Sequence, residues 1–146
     1  MLRIFALSLL AAAPLHAQAT RDCNTWVSNA RNLAMPYEDA TRTYAQGSIA
    51  FLLLDTGEPA CCSDHLMVLY PDPEEPFRIC QLISLRDGLG YYEIRLGDAQ
   101  ATYDPLEGLS VRIPAFEYGE VEAMPRSLDV TVNQQTGVLT ASHGAP

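Results

Sequence analysis

The sequence predicts a mainly β protein: an antiparallel sandwich or small, partly open barrel of about seven strands, with one N-terminal α-helix, held by disulfides. Three observations predict it. Seven short apolar or alternating segments recur between residues 47 and 142, punctuated by Pro, Gly, Asn and Asp. One earlier segment repeats instead with the period of a helix. Four cysteines sit in a chain of 146 residues, an even number that in an exported protein reads as bridges.

The first element is a leader. Met1-Leu2-Arg3 gives a cationic start, and in residues 4–13 Ser8 is the one polar side chain. Pro14 follows, then two candidate cleavage sites, Leu15-His16-Ala17 and Ala17-Gln18-Ala19. This is the pattern of a secretory signal peptide over residues 1–19, whose removal leaves a single exported β-rich domain, 20–146. The apolar run is far short of the roughly 20 residues that cross a bilayer. Thr20-Arg21-Asp22 before Cys23 does not suit lipid attachment. The expectation is therefore a periplasmic or extracellular protein with no stable membrane anchor.

A helix is expected next, over about 22–35. Cys23, Trp26, Val27, Ala30, Leu33 and Ala34 recur at i, i+3, i+4, i+7, i+10 and i+11, which forms one apolar face. Thr20 or Asp22 can cap its start, and Met35-Pro36 ends it.

The period then changes to that of strands. Residues 48–54 and 66–70 are apolar on both sides and read as central strands covered on both faces. Residues 77–85 continue, with Phe77, Ile79 and Ile83 on one side and Cys80 and Leu82 on the other. Tyr92, Ile94 and Leu96 oppose Tyr91, Glu93 and Arg95. Leu109, Val111 and Ile113 oppose Ser110 and Arg112, and Leu128, Val130 and Val132 oppose Asp129 and Thr131. Such alternation marks half-buried antiparallel strands. Residues 133–137 form a turn with Gly137 free to take a left-handed conformation, and 138–142 return as the last strand.

Cys23, Cys61, Cys62 and Cys80 permit three pairings. Two join Cys23 and Cys80 to the central pair. The third joins Cys23 to Cys80 and leaves a vicinal Cys61–Cys62 ring, disfavoured because adjacent side chains on an extended chain point to opposite faces. A simple hairpin through 71–76 would set Cys80 opposite Met67 rather than Cys61 or Cys62, which keeps the vicinal form open.

Charge excludes one class of function. Nine Arg and no Lys face 18 acids, a formal −9. Without the leader, 8 Arg against 18 acids give −10. Nucleic-acid binding, which needs clustered cations, is excluded.

The densest polar cluster is the loop 57–65. A soft metal site from Cys61, Cys62 and His65 would need reduced thiols and lacks paired C-x-x-C spacing. Ser63, Asp64 and His65 are consecutive and cannot converge as a triad, and no G-x-S-x-G elbow exists. The simpler reading is a disulfide-pinned loop in which Asp64 and His65 bond locally. The acidic runs at Asp72, Glu74 and Glu75 and at Glu117, Glu120 and Glu122 lack a calcium-loop pattern. Glu93, Glu107 and Glu117 cannot be paired as a glycosidase acid and nucleophile from sequence, since the separation that matters is spatial. Tyr91, Tyr103 and Tyr118 could form a stacking surface for a sugar or an extended partner, although burial is the commoner fate of such residues.

The expectation is an exported, non-catalytic binding or accessory protein of the cell envelope, with a protein or small-molecule partner and no cofactor. The alternatives are a periplasmic metal-binding protein using the Cys61-Cys62-Ser63-Asp64-His65 loop, and a small hydrolase with His65 or His143 as base.

Overall fold

The computed structural model describes residues 19–144 and residue 146. The expected leader lies outside these residues, apart from Ala19. The protein is mainly β, built as two open antiparallel sheets packed face to face: a sandwich, not a closed barrel.

The first sheet contains β1 (Ala19–Asp22), β2 (Thr41–Tyr44), β3 (Ile49–Asp55), β4 (Asp64–Pro71) and β5 (Arg78–Ser84), in the order β1-β5-β4-β3-β2. The second contains β6 (Glu93–Ile94), β7 (Gln100–Asp104), β8 (Gly108–Glu117), β9 (Met124–Asn133) and β10 (Val138–Gly144). Its order is β10-β9-β8-β6, and β7 also pairs with β8. Among the described residues, ten strands replace the expected seven. The additions, β1, β2 and β7, are short, and β7 is exposed at every residue, so they carry no alternating apolar pattern that sequence could reveal.

Period-two alternation builds the core. Ile49, Phe51, Leu66, Val68, Tyr70 and Ile83 from one sheet meet Leu109, Val111, Ile113, Leu128, Val130 and Val132 from the other. Each of these side chains buried from water contributes about 1.5–3 kcal/mol. On the opposite face of the first sheet, Leu54 and Leu82 pack with Val27, and Cys23, Leu33 and Met67 close around them. The central strands β3 and β4 are thus covered on both sides, as expected.

The covering segment is not the expected helix. Among residues 23–35 only Ala30–Asn32 form a single 3-10 turn, and a short helix, α1 (Tyr37–Ala40), follows the cis Met35–Pro36 peptide. Side chains that hydrogen-bond backbone explain the difference. Asp22 Oδ1 accepts from the Asn24 amide at 2.7 Å, and Asn29 Oδ1 from the Arg31 amide at 3.1 Å. Asn32 Nδ2 donates to the Trp26 and Val27 carbonyls at 3.0 and 2.9 Å. The Asn29 and Asn32 bonds take groups that a helix would need, and Trp26 and Ala30, placed on the apolar face by periodicity, are exposed.

The cysteines pair as Cys23–Cys80 and Cys61–Cys62. This corrects the preference against the vicinal form. Cys80 lies opposite Leu69, not Met67, because the β4–β5 turn spans residues 72–77. The Asp72 amide donates to the Phe77 carbonyl at 3.1 Å, and Asp72 Oδ1 accepts from the Glu74 amide at 2.9 Å. The two-residue slip keeps Cys80 on the outer face, where Cys23 meets it with Cα atoms 5.5 Å apart. A structural bridge of this kind belongs to an oxidising, exported environment. No helix among the described residues is long and apolar enough to cross a membrane.

The turn at 133–137 forms as expected. Gly137 takes φ +69°, and Asn133 Oδ1 accepts from the Gln135 amide at 3.0 Å.

Candidate functional site

The expected strand at 91–96 is the place where the chain changes sheets. The Tyr91 amide donates to the Asp64 carbonyl on β4 at 2.7 Å. One residue later the Tyr92 amide donates to the Phe116 carbonyl on β8 at 2.9 Å. Regular pairing there shrinks to the two residues of β6, and the alternation breaks: Tyr91 points inward and Tyr92 outward, the reverse of the expected sides.

Gly90 makes this crossing possible. Its amide donates to the Cys62 carbonyl at 2.9 Å. A Cβ at Gly90 would stand 2.7 Å from the Asp64 carbonyl oxygen and 2.9 Å from His65 Nε2, closer than atoms pack. Side-chain size is therefore excluded at this position.

Asp64 and His65 occupy opposite faces of β4. Asp64 Oδ2 accepts from the Ile94 amide at 2.9 Å. Burial pushes its carboxyl up to about 6, with Asp55 and Glu93 adding repulsion, against the bond from Ile94. His65 is buried on the outer face, its Nδ1 sharing a 2.8 Å hydrogen bond with Ser84 Oγ. Burial, reinforced by the Arg21 charge, lowers His65 to about 4, so the ring is neutral at ordinary pH. Ser84 is wholly buried, so this Ser–His pair offers no route to a substrate. Cys61 and Cys62 are bonded to each other, and among the described residues no group of three ligand-type side chains is arranged to hold a metal ion.

A second polar chain closes one end of the sandwich. The buried Tyr91 hydroxyl lies 2.9 Å from His143 Nε2 on β10. Glu117 Oε1 on β8 is 3.8 Å from His143 Nδ1 and accepts from Arg126 Nε on β9 at 3.1 Å. Burial raises the Tyr91 phenol far above its ordinary range and lowers His143. A phenol held protonated is not a nucleophile. Sequence reading did not find this chain, because its members are brought together only by the pairing of β8, β9 and β10.

The three tyrosines expected to share a surface do not. Tyr91 is interior, and Tyr103 pairs with Leu109 at the far end of β8, roughly 30 Å along the strand from Tyr118. Tyr92 takes the place of Tyr91: it is 52% exposed, Tyr118 is 58% exposed, and their rings lie 6.3 Å apart. Beside them the Arg95 guanidinium sits 4.4 Å over the Phe116 ring, held in place by Glu93 at 2.8 and 3.0 Å. The doubled Tyr91-Tyr92 was the one available signal, since adjacent strand residues must face opposite ways.

A shallow cleft of about 250 Å³ lies near this face, floored by Ala40, Leu53, Ile94 and Leu96 and rimmed by Asp39 and Asp98. It falls below the range of about 300–1,000 Å³ usual for small-molecule sites.

No protein-family model, curated protein or solved structure matches the chain.

Proposed function

We propose that the chain is an exported, non-catalytic binding or accessory protein of the cell envelope, periplasmic or extracellular, released from a leader at residues 1–19. Its contact surface is the aromatic face around Tyr92 and Tyr118. The observation that carries this reading is the pairing of two half-exposed tyrosine rings beside the Arg95–Phe116 stack. Rings held by sheet backbone supply contact area with little ordering cost, and Tyr and Arg dominate binding hot spots. Among the described residues His65, Ser84, Tyr91 and His143 are each engaged in internal hydrogen bonds.

Affinity capture from the exported fraction tests it, using wild type and the double variant Tyr92→Ala/Tyr118→Ala. The expected result is one stoichiometric partner, bound about tenfold or more weakly by the variant, with thermal unfolding unchanged. Undiminished binding by the variant would remove the aromatic face from the function. A hydrolytic activity that His65→Ala abolishes would replace the reading with the enzymatic one.

A further inference from the structure

The Cys61–Cys62 ring closes the loop between β3 and β4, and Cys62 has φ +88°, a left-handed conformation that side chains rarely adopt. Adjacent residues on an extended chain direct their side chains to opposite faces, so a bond between neighbours goes with a backbone that is not extended there. The state is read elsewhere in the fold. The Cys62 carbonyl accepts from the Gly90 amide at 2.9 Å, and Asp64 and Tyr91 exchange bonds of 3.2 and 2.7 Å. One side of the crossing segment therefore hangs on the peptide unit that the ring holds.

The two bridges differ in what protects them. Cys23 and Cys80 are 57 residues apart and are brought together by the pairing of β1 with β5, so the whole fold opposes loss of their bond. Cys61 and Cys62 are neighbours in folded and unfolded chain alike, and closing so small a ring gains almost nothing from chain entropy. Cys61 is partly exposed and Cys62 buried.

We propose that Cys61–Cys62 is a thiol–disulfide exchange site, opened by a dithiol reductant while Cys23–Cys80 remains closed. A reductant thiolate attacks Cys61 Sγ; the sulfur–sulfur bond breaks and Cys62 leaves as thiolate. The second reductant thiol then attacks the mixed disulfide and releases Cys61. Two electrons pass to the cysteines, each takes up a proton, and the reductant departs as its internal disulfide. Opening frees Cys62 from positive φ, and the Gly90 amide loses a fixed acceptor. Tyr92 follows two residues later, so a consequence for binding rests on the function proposed above; the exchange itself does not.

Titration of the folded protein with dithiothreitol, followed by alkylation and peptide mass mapping, tests the order of opening. Cys61 and Cys62 are expected to be alkylated at reductant concentrations about tenfold lower or less than those that open Cys23–Cys80, a separation that exchange equilibria resolve readily. Amide spectra on the same samples should show Gly90 and Tyr91 shifting with the first step. Cys61→Ser/Cys62→Ser should give those shifts without reductant; the wild-type titration stands even if that variant folds poorly. Joint opening of both bridges, earlier opening of Cys23–Cys80, or an unmoved Gly90 amide would each overturn the proposal.

Discussion

Asp64 and His65 are consecutive on β4, and burial moves them in opposite directions, which gives a prediction with a definite sign. His65 falls from 6.5 to about 4. Between those values the unfolded chain binds a proton that the folded chain refuses, so His65 alone makes stability rise with pH. Asp64 rises from 3.8 to about 6. Between those values the folded chain holds a proton that the unfolded chain has released, so Asp64 makes stability fall as pH rises. At about 1.4 kcal/mol per unit, with partial solvent screening of Asp64, each contribution is about 2–3 kcal/mol. The windows nearly coincide, and in wild type the two effects cancel. Asp64→Asn, which can still accept from Ile94, should gain about 2–3 kcal/mol on wild type between pH 4 and 6.5. His65→Gln should lose a similar amount over the same interval. Urea unfolding at half-unit pH steps reads both, taken as differences from wild type to remove the background of the other carboxylates. A flat difference for either variant, or slopes of the same sign, would refute the reasoning.

Three further outcomes are expected. Gly90→Ala pushes a methyl against the Asp64 carbonyl and His65, and should lower stability by about 1–3 kcal/mol in urea. Cys23→Ser should cost about 4 kcal/mol by opening a 57-residue closure, seen as a fall in thermal midpoint. Tyr91→Phe keeps the buried ring but strands His143 Nε2; a loss of about 1 kcal/mol is expected, with the His143 ring signal titrating differently by NMR.

What was legible in the sequence follows from how local its cause is. Leu109-Val111-Ile113 and Leu128-Val130-Val132 alternate because one side of each strand faces the core, and both strands formed where alternation put them. The double cover of β3 was legible for the same reason. The stretch after Cys23 has the period of a helix, yet Asn29 and Asn32 bond the backbone groups that a helix would use. In that contest side-chain chemistry outweighed spacing. Tyr91 and Tyr92 face the sides opposite to those expected from alternation, because their direction depends on where the chain leaves one sheet for the other. The His65–Ser84 and Tyr91–His143 contacts span 19 and 52 residues and depend on strand order, which no local pattern encodes.

The two sheets divide the chain cleanly: residues 19–84 build one and residues 93–144 the other, with both sulfur bridges in the earlier half. A chain that emerges from its N-terminus can complete oxidation and pair β1 to β5 before β8 and β9 are available. During that interval Phe51, Val68 and Ile83 form a bare hydrophobic wall awaiting its mate. Until β8 and β9 have formed, nothing in the earlier half covers that wall.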